Sequence, residues 1–198
     1  DPNNIGDKDV IYIGATTSRD VPKIMAIASQ GSSLYIYEIS PEMIQGKKGT
    51  ICSGYWELTP ETGLVEGKLP VATSAYFDRM FYYAVGNKIY RADLTRSTPR
   101  SYEIYAHPDP SVRITRLKFR SQREDRWDIS GGDEVEAIPY DFVSYLGGVS
   151  EYPDGNCSML EMKLTAAGEI DKEEGTKDLM VYEFKGFKNV VDFVYAFK

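Results

Sequence analysis

The chain holds one histidine, two cysteines and two tryptophans in 198 residues, and each scarcity closes off a kind of chemistry. His107 is far in sequence from Cys52 and Cys157, so the paired ligand spacing of a zinc centre is missing. Two cysteines are no disulfide framework for a chain of this length. Cys52 and Cys157 are expected as separate buried thiols, because the strand layout puts them in sheets that are not neighbours; one disulfide in an oxidising compartment is the alternative. Basic residues are outnumbered by acidic ones, 23 to 30, and the formal charge of -7 argues against a nucleic-acid partner. No run approaches the ~18 apolar residues of a membrane helix, and no signal-peptide core stands at the amino end. Neither a Gly-x-Ser-x-Gly elbow nor a glycine-rich phosphate loop occurs, and no cofactor is expected. The chain starts at Asp1 without an initiator Met, which reads as a processed form or an excised part of something longer.

What is abundant is aromatic: 15 Tyr and 8 Phe favour strands, because rings pack well on a pleated surface. From Phe81 to Leu94, FYYAVGNKIYRADL, two alternating strands meet at Gly86-Asn87, a pair suited to a tight primed hairpin turn. Runs of β-branched and aromatic residues bounded by turn formers give about thirteen strands. They lie near Val10–Ala15, Lys23–Ser29, Ser33–Ile39, Thr50–Leu58, Thr73–Asp78, Met80–Val85 and Lys88–Leu94. Others follow near Ser101–Ala106, Val112–Arg120, Tyr140–Gly147, Cys157–Thr165, Asp178–Phe184 and Asn189–Phe197. Only Pro41–Lys48 invites a short helix, through a proline near its first turn.

KIMAIASQGSSLYIYEIS, FYYAVGNKIYRADLT and DFVSYLGGVSEYPDGNCSMLEMKLT are hairpins of one kind, spaced by roughly fifty to sixty residues, as four-stranded propeller blades would be. The expected fold is all-β: antiparallel four-stranded sheets arranged as β-propeller-like blades, in one domain over residues 1–198. A β-sandwich is the alternative, because no strict signature recurs in each unit. Thirteen strands make about three blades, fewer than a closed ring requires. Upstream blades, a covering element or a symmetric homodimer of half-rings would complete it.

The longest stretch without a strand pattern, Ser121 to Pro139, places Trp127 between Arg126 and Asp128, with Arg123 just upstream. An indole flanked by charged groups suits a sugar, which stacks its apolar face on the ring while neighbours engage its hydroxyls. Those four residues are the expected ligand contacts; packing of Trp127 onto a sheet edge is the competing reading. In Gly54-Tyr55-Trp56-Glu57, alternation sends one ring into the core. Tyr35, Tyr37, Tyr82, Tyr83, Tyr90, Tyr102 and Tyr105 read as cross-strand packing pairs. Carboxylates such as Asp133–Glu136 and Asp171–Glu174 read as solvated turn charge, so no catalytic residue is assigned. His107, in AHPDP, reads as an outer-strand exit and not a protected base.

The segments YYAVGNKIYRADL, VRITRLKF and LMVYEFKGFKNVVDFVYAFK together resemble the carboxy-terminal part of the PKD-like lipoproteins of Bacteroidetes, over residues 76–120 and 178–198. Gly186, Phe187, Lys188, Asn189, Val190, Val191 and Asp192 stand where that family ends in Gly-Phe-Gly-Lys-Val-Val-Asp before an apolar strand; Lys188 and Asn189 depart from it. The resemblance implies a propeller-like region of an envelope protein at the outer-membrane surface or in the periplasm. It further implies immunoglobulin-like domains upstream, a lipid anchor outside this chain, and an outer-membrane uptake complex for glycans or peptides as partner. It carries no catalytic residues. The expected function is therefore non-catalytic binding of a glycan or another extracellular ligand. A protein–protein interaction module and, further off, a glycan-degrading enzyme are the alternatives.

Overall fold

Alternating side chains and tight glycine turns produce twelve strands in the computed structural model, which describes residues 6–15, 24–39, 52–59, 71–74, 80–124 and 141–195. The first antiparallel sheet is the meander β1 (Asp9–Ala15), β2 (Ile24–Gln30), β3 (Ser33–Ile39) and β4 (Cys52–Leu58). The second is β5 (Val71–Ser74), β6 (Met80–Val85), β7 (Lys88–Asp93) and β8 (Ser101–Ala106). The third is β9 (Arg113–Glu124), β10 (Asp141–Glu151), β11 (Asn156–Leu164) and β12 (Val181–Lys188). No helix occurs among the described residues. The helix expected over Pro41–Lys48 lies outside them.

Turn chemistry fixes the registers. Gly31 and Gly86 each take φ 59° at the first central position of a two-residue turn, closing Gln30↔Ser33 and Val85↔Lys88. With Ser32 and Asn87 at negative φ, these are type II′ turns, whose twist suits a hairpin. The β10–β11 connection instead uses Tyr152-Pro153-Asp154-Gly155, with Gly155 at φ 80° and its N–H donating to the Tyr152 carbonyl over 2.9 Å.

The second sheet is apolar on both sides, which is why β6 reads as a near-continuous apolar run. Phe81 and Tyr83 pack with Met25, Ile27, Leu34, Ile36, Trp56 and Leu58 of the first sheet. Met80, Tyr82 and Ala84 face Leu117, Leu146, Leu160 and Met162 of the third. Trp56 is the ring of its cluster that enters this core, and Tyr83 and Tyr90 stack at 5.3 Å between centroids. Cys52 and Cys157, on the first and third sheets, are free thiols, the former only half-buried.

The strand expected over Asn189–Phe197 is not formed in its described residues. Residues 189–195 form no ladder. They cross the outer side of the third sheet, where Asp192 meets Lys118 at 2.9 Å and Tyr195 lies against the Arg120 guanidinium at 4.7 Å. Gly147 makes room for this strap, since a Cβ there would overlap the Phe193 and Tyr195 rings. An alternating pattern marks a segment with one apolar face; here that face lies flat on a sheet and not in it.

Candidate functional site

Between β11 and β12 the chain makes an ordered excursion over residues 165–180. Gly168, at φ 76°, closes its first turn by donating to the Thr165 carbonyl over 2.9 Å. The Glu173 N–H donates to the Asp178 carbonyl over 2.9 Å, closing a second turn around Gly175. Two side chains of the second sheet anchor the excursion: the buried Tyr82 hydroxyl donates to the Gly168 carbonyl over 2.9 Å, and Arg91 donates to the Ala167 carbonyl. Arg91 also approaches the Glu169 carboxylate at 3.8 Å.

A cleft of about 540 Å³ opens where this excursion meets β7, β8 and the loop between them. That volume matches a small-molecule site of ~300–1,000 Å³. Tyr102, directly opposite Arg91 in the β7–β8 ladder, is 52% exposed within it. Arg91, Arg96, Arg100 and Lys172 supply its cations, and Asp93, Glu103 and Glu169 its carboxylates. Thr95 donates to Asp93 from both its N–H and its hydroxyl; these bonds outweigh the effect of burial and hold that carboxyl below its ordinary value. They also tie down the loop that carries Arg96, whose Nε is 3.5 Å from Asp93. Glu103 is bound by Lys88 at 2.7 Å. Such a cleft offers an aromatic face, hydroxyl-accepting carboxylates and cationic donors around one ligand-sized space.

A second polar cluster sits where β8 leaves for β9. His107 leaves β8, the outer strand of its sheet, as expected, but it is buried, 6% exposed, so the expectation that it is unprotected is corrected. Its Nδ1 lies 3.1 Å from the Asp109 nitrogen and 3.3 Å from the Asp109 carbonyl, and its Nε2 stands 3.6 Å from Glu183 Oε1. Glu183 accepts the Ser158 hydroxyl at 2.6 Å and the Tyr152 hydroxyl at 2.8 Å. Burial alone would raise the Glu183 carboxyl, but these hydrogen bonds, with Lys185 and His107 nearby, hold it below its ordinary value. The Ser158 hydroxyl spends its proton on a carboxylate, not on an imidazole, so the cluster is built as a clasp and not as a nucleophile with its base.

Trp127, Arg126 and Asp128 lie outside the described residues. Arg123 stands on β9 opposite Phe142, and its side chain also lies outside them. Tyr102, expected as a packing residue, is instead the open ring of the cleft. Sequence reasoning missed it because its alternation matches that of the buried tyrosines. The usable signal was three arginines, Arg91, Arg96 and Arg100, within ten residues of an acidic chain. Among the described residues no group of three or more His, Cys, Asp or Glu could hold a metal ion. Compared with known proteins, the chain matches no family model, no curated protein and no solved structure.

Proposed function

We propose that this chain is a non-catalytic carbohydrate-binding module whose three meanders are propeller-like blades. The observation that carries the binding role is the exposed Tyr102 ring set among charged hydrogen-bonding groups in a ligand-sized cleft. A pyranose would lay its apolar face on the ring, and its hydroxyls would meet Asp93, Glu169 and Arg91. The serial packing of the sheets, each meander against the next, supports the blade arrangement. The envelope setting and the uptake partner belong to the same proposal and rest on the family resemblance.

A glycan-array screen of the purified chain beside Tyr102→Ala tests the reading. Saccharide binding that falls at least tenfold in the variant, at unchanged melting temperature, is the expected result. Two folded proteins that bind no saccharide would overturn it.

A second reading has its own observation. β12 pairs only with β11 among the described residues, and Tyr182, Phe184 and Phe187 on it are exposed. That edge could receive another chain's strand in a protein–protein interaction module, although Lys185, Lys188 and the irregularity at Gly186 blunt it.

A further inference from the structure

We propose that the saccharide held in this cleft is acidic, with a hexuronate carboxylate seated by Arg100 and Lys172; this rests on the carbohydrate reading above. The inference starts from charge accounting. The whole chain carries -7, yet the cleft is lined by four cations and three carboxylates. Its carboxylates are each already faced by a cation: Asp93 by Arg96 at 3.5 Å, Glu103 by Lys88 at 2.7 Å and Glu169 by Arg91 at 3.8 Å. Arg91 has a further structural duty to the Ala167 carbonyl. Arg100 and Lys172 face no carboxylate in an ion pair among the described residues, although both line the cleft and the protein has carboxylates to spare.

Position strengthens the case. Arg100 enters β8 two residues before Tyr102, and Lys172 stands in the excursion, paired with Leu179 by a bridge. The two charges come from different segments lining a cleft whose aromatic face is Tyr102. A sugar stacked on that ring would present a ring substituent to the cations that line the cleft beside it. Arg binds a carboxylate through two parallel N–H donors and Lys through a point charge, so together they discriminate an acid from a hydroxymethyl group. An acidic peptide would share the charge but leaves the stacking ring without a pyranose face to meet.

The test is calorimetric titration of the chain with trimers of galacturonate, glucuronate and mannuronate, each beside its carboxyl-reduced neutral counterpart. Tetraglutamate and a sulfated disaccharide are further arms, and Arg100→Gln, Lys172→Gln and Tyr102→Ala are run in parallel. At least one uronate should bind about tenfold more tightly than its neutral counterpart, as a charge-assisted hydrogen-bond pair provides. Arg100→Gln and Lys172→Gln should abolish that ratio while leaving weak neutral binding, and added salt should reduce it. Acidic and neutral trimers binding equally, both lost in Tyr102→Ala, would overturn the acidic ligand and keep the carbohydrate site. Preference for the sulfated sugar alone would overturn the carboxylate. Binding of tetraglutamate alone, or of nothing by a folded protein, would overturn both readings.

Discussion

Gly168 shows how one backbone position holds the cleft. At φ 76° it occupies the left-handed region, and a Cβ there would stand 2.7 Å from the Tyr82 hydroxyl and 3.2 Å from Met80 Cγ. Gly168→Ala should therefore lose about 2–4 kcal/mol in urea denaturation, from left-handed strain of ~1–2 kcal/mol together with a displaced Tyr82 bond. Gly175 is the control: it has the same φ 76° and nothing within 4 Å, so Gly175→Ala should lose only the strain. Equal losses would mean that Tyr82 does not anchor the excursion. At this scale the sequence was partly legible. One ring of the Tyr55-Trp56 pair could be placed in the core because strand alternation makes the two face opposite ways, and the structure shows which: Trp56. Tyr102 could not be told from Tyr90, because nothing local says which tyrosine a distant excursion covers. Tyr90 is buried under the first sheet, and Tyr102 looks into the cleft.

At the scale of elements, hairpins were legible wherever glycine dictates the turn, as at Gly31 and Gly86. The clasp around Glu183 was not, because its members come from β11, β12 and the two turns beside them, up to seventy-six positions apart. The excursion was hidden too: Asp171 to Glu174 is charged enough to pass for a solvated loop, yet the Asp171 N–H donates to the Lys163 carbonyl over 2.8 Å and gives the segment a fixed course. The clasp leads to a pH prediction. Glu183 titrates below its ordinary value of 4.5 in the folded state, so its contribution is complete above that pH and is lost as pH falls through the depressed folded value. Urea denaturation of wild type and Glu183→Gln across pH 7 to 3 should show the wild type ahead at neutral pH, with the gap narrowing only below the ordinary glutamate range. A gap that stays constant to pH 3 would mean that the charge on Glu183 contributes nothing, and no gap at any pH would mean that Gln serves the Ser158 and Tyr152 hydroxyls equally well.

In the molecule as a whole, the three sheets stack in series, and the two ends of the stack differ. The outer side of the first sheet presents Val10 and Ile13, 46% and 70% exposed, while the outer side of the third lies under residues 189–195. The repeat of meanders was legible because each spans a similar length with a glycine turn at its centre. The strap was not, since a segment that covers a sheet and one that extends it share the same apolar alternation. Truncation after Lys188 should therefore uncover Gly147 and free the Arg120 guanidinium from the Tyr195 ring, costing about 2–4 kcal/mol for two half-buried aromatic side chains. In a domain of this size that lowers the melting temperature by roughly 5–15 °C. Tyr195→Phe separates the ring from its hydroxyl. That hydroxyl is buried with no hydrogen-bond partner, so its removal should leave stability within about 1 kcal/mol of wild type or raise it. If Tyr195→Phe costs as much as the truncation, the hydroxyl and not the packed ring holds the strap. If the truncated chain melts at the wild-type temperature, the third sheet does not depend on its cover, and the stack is closed by the sheets alone.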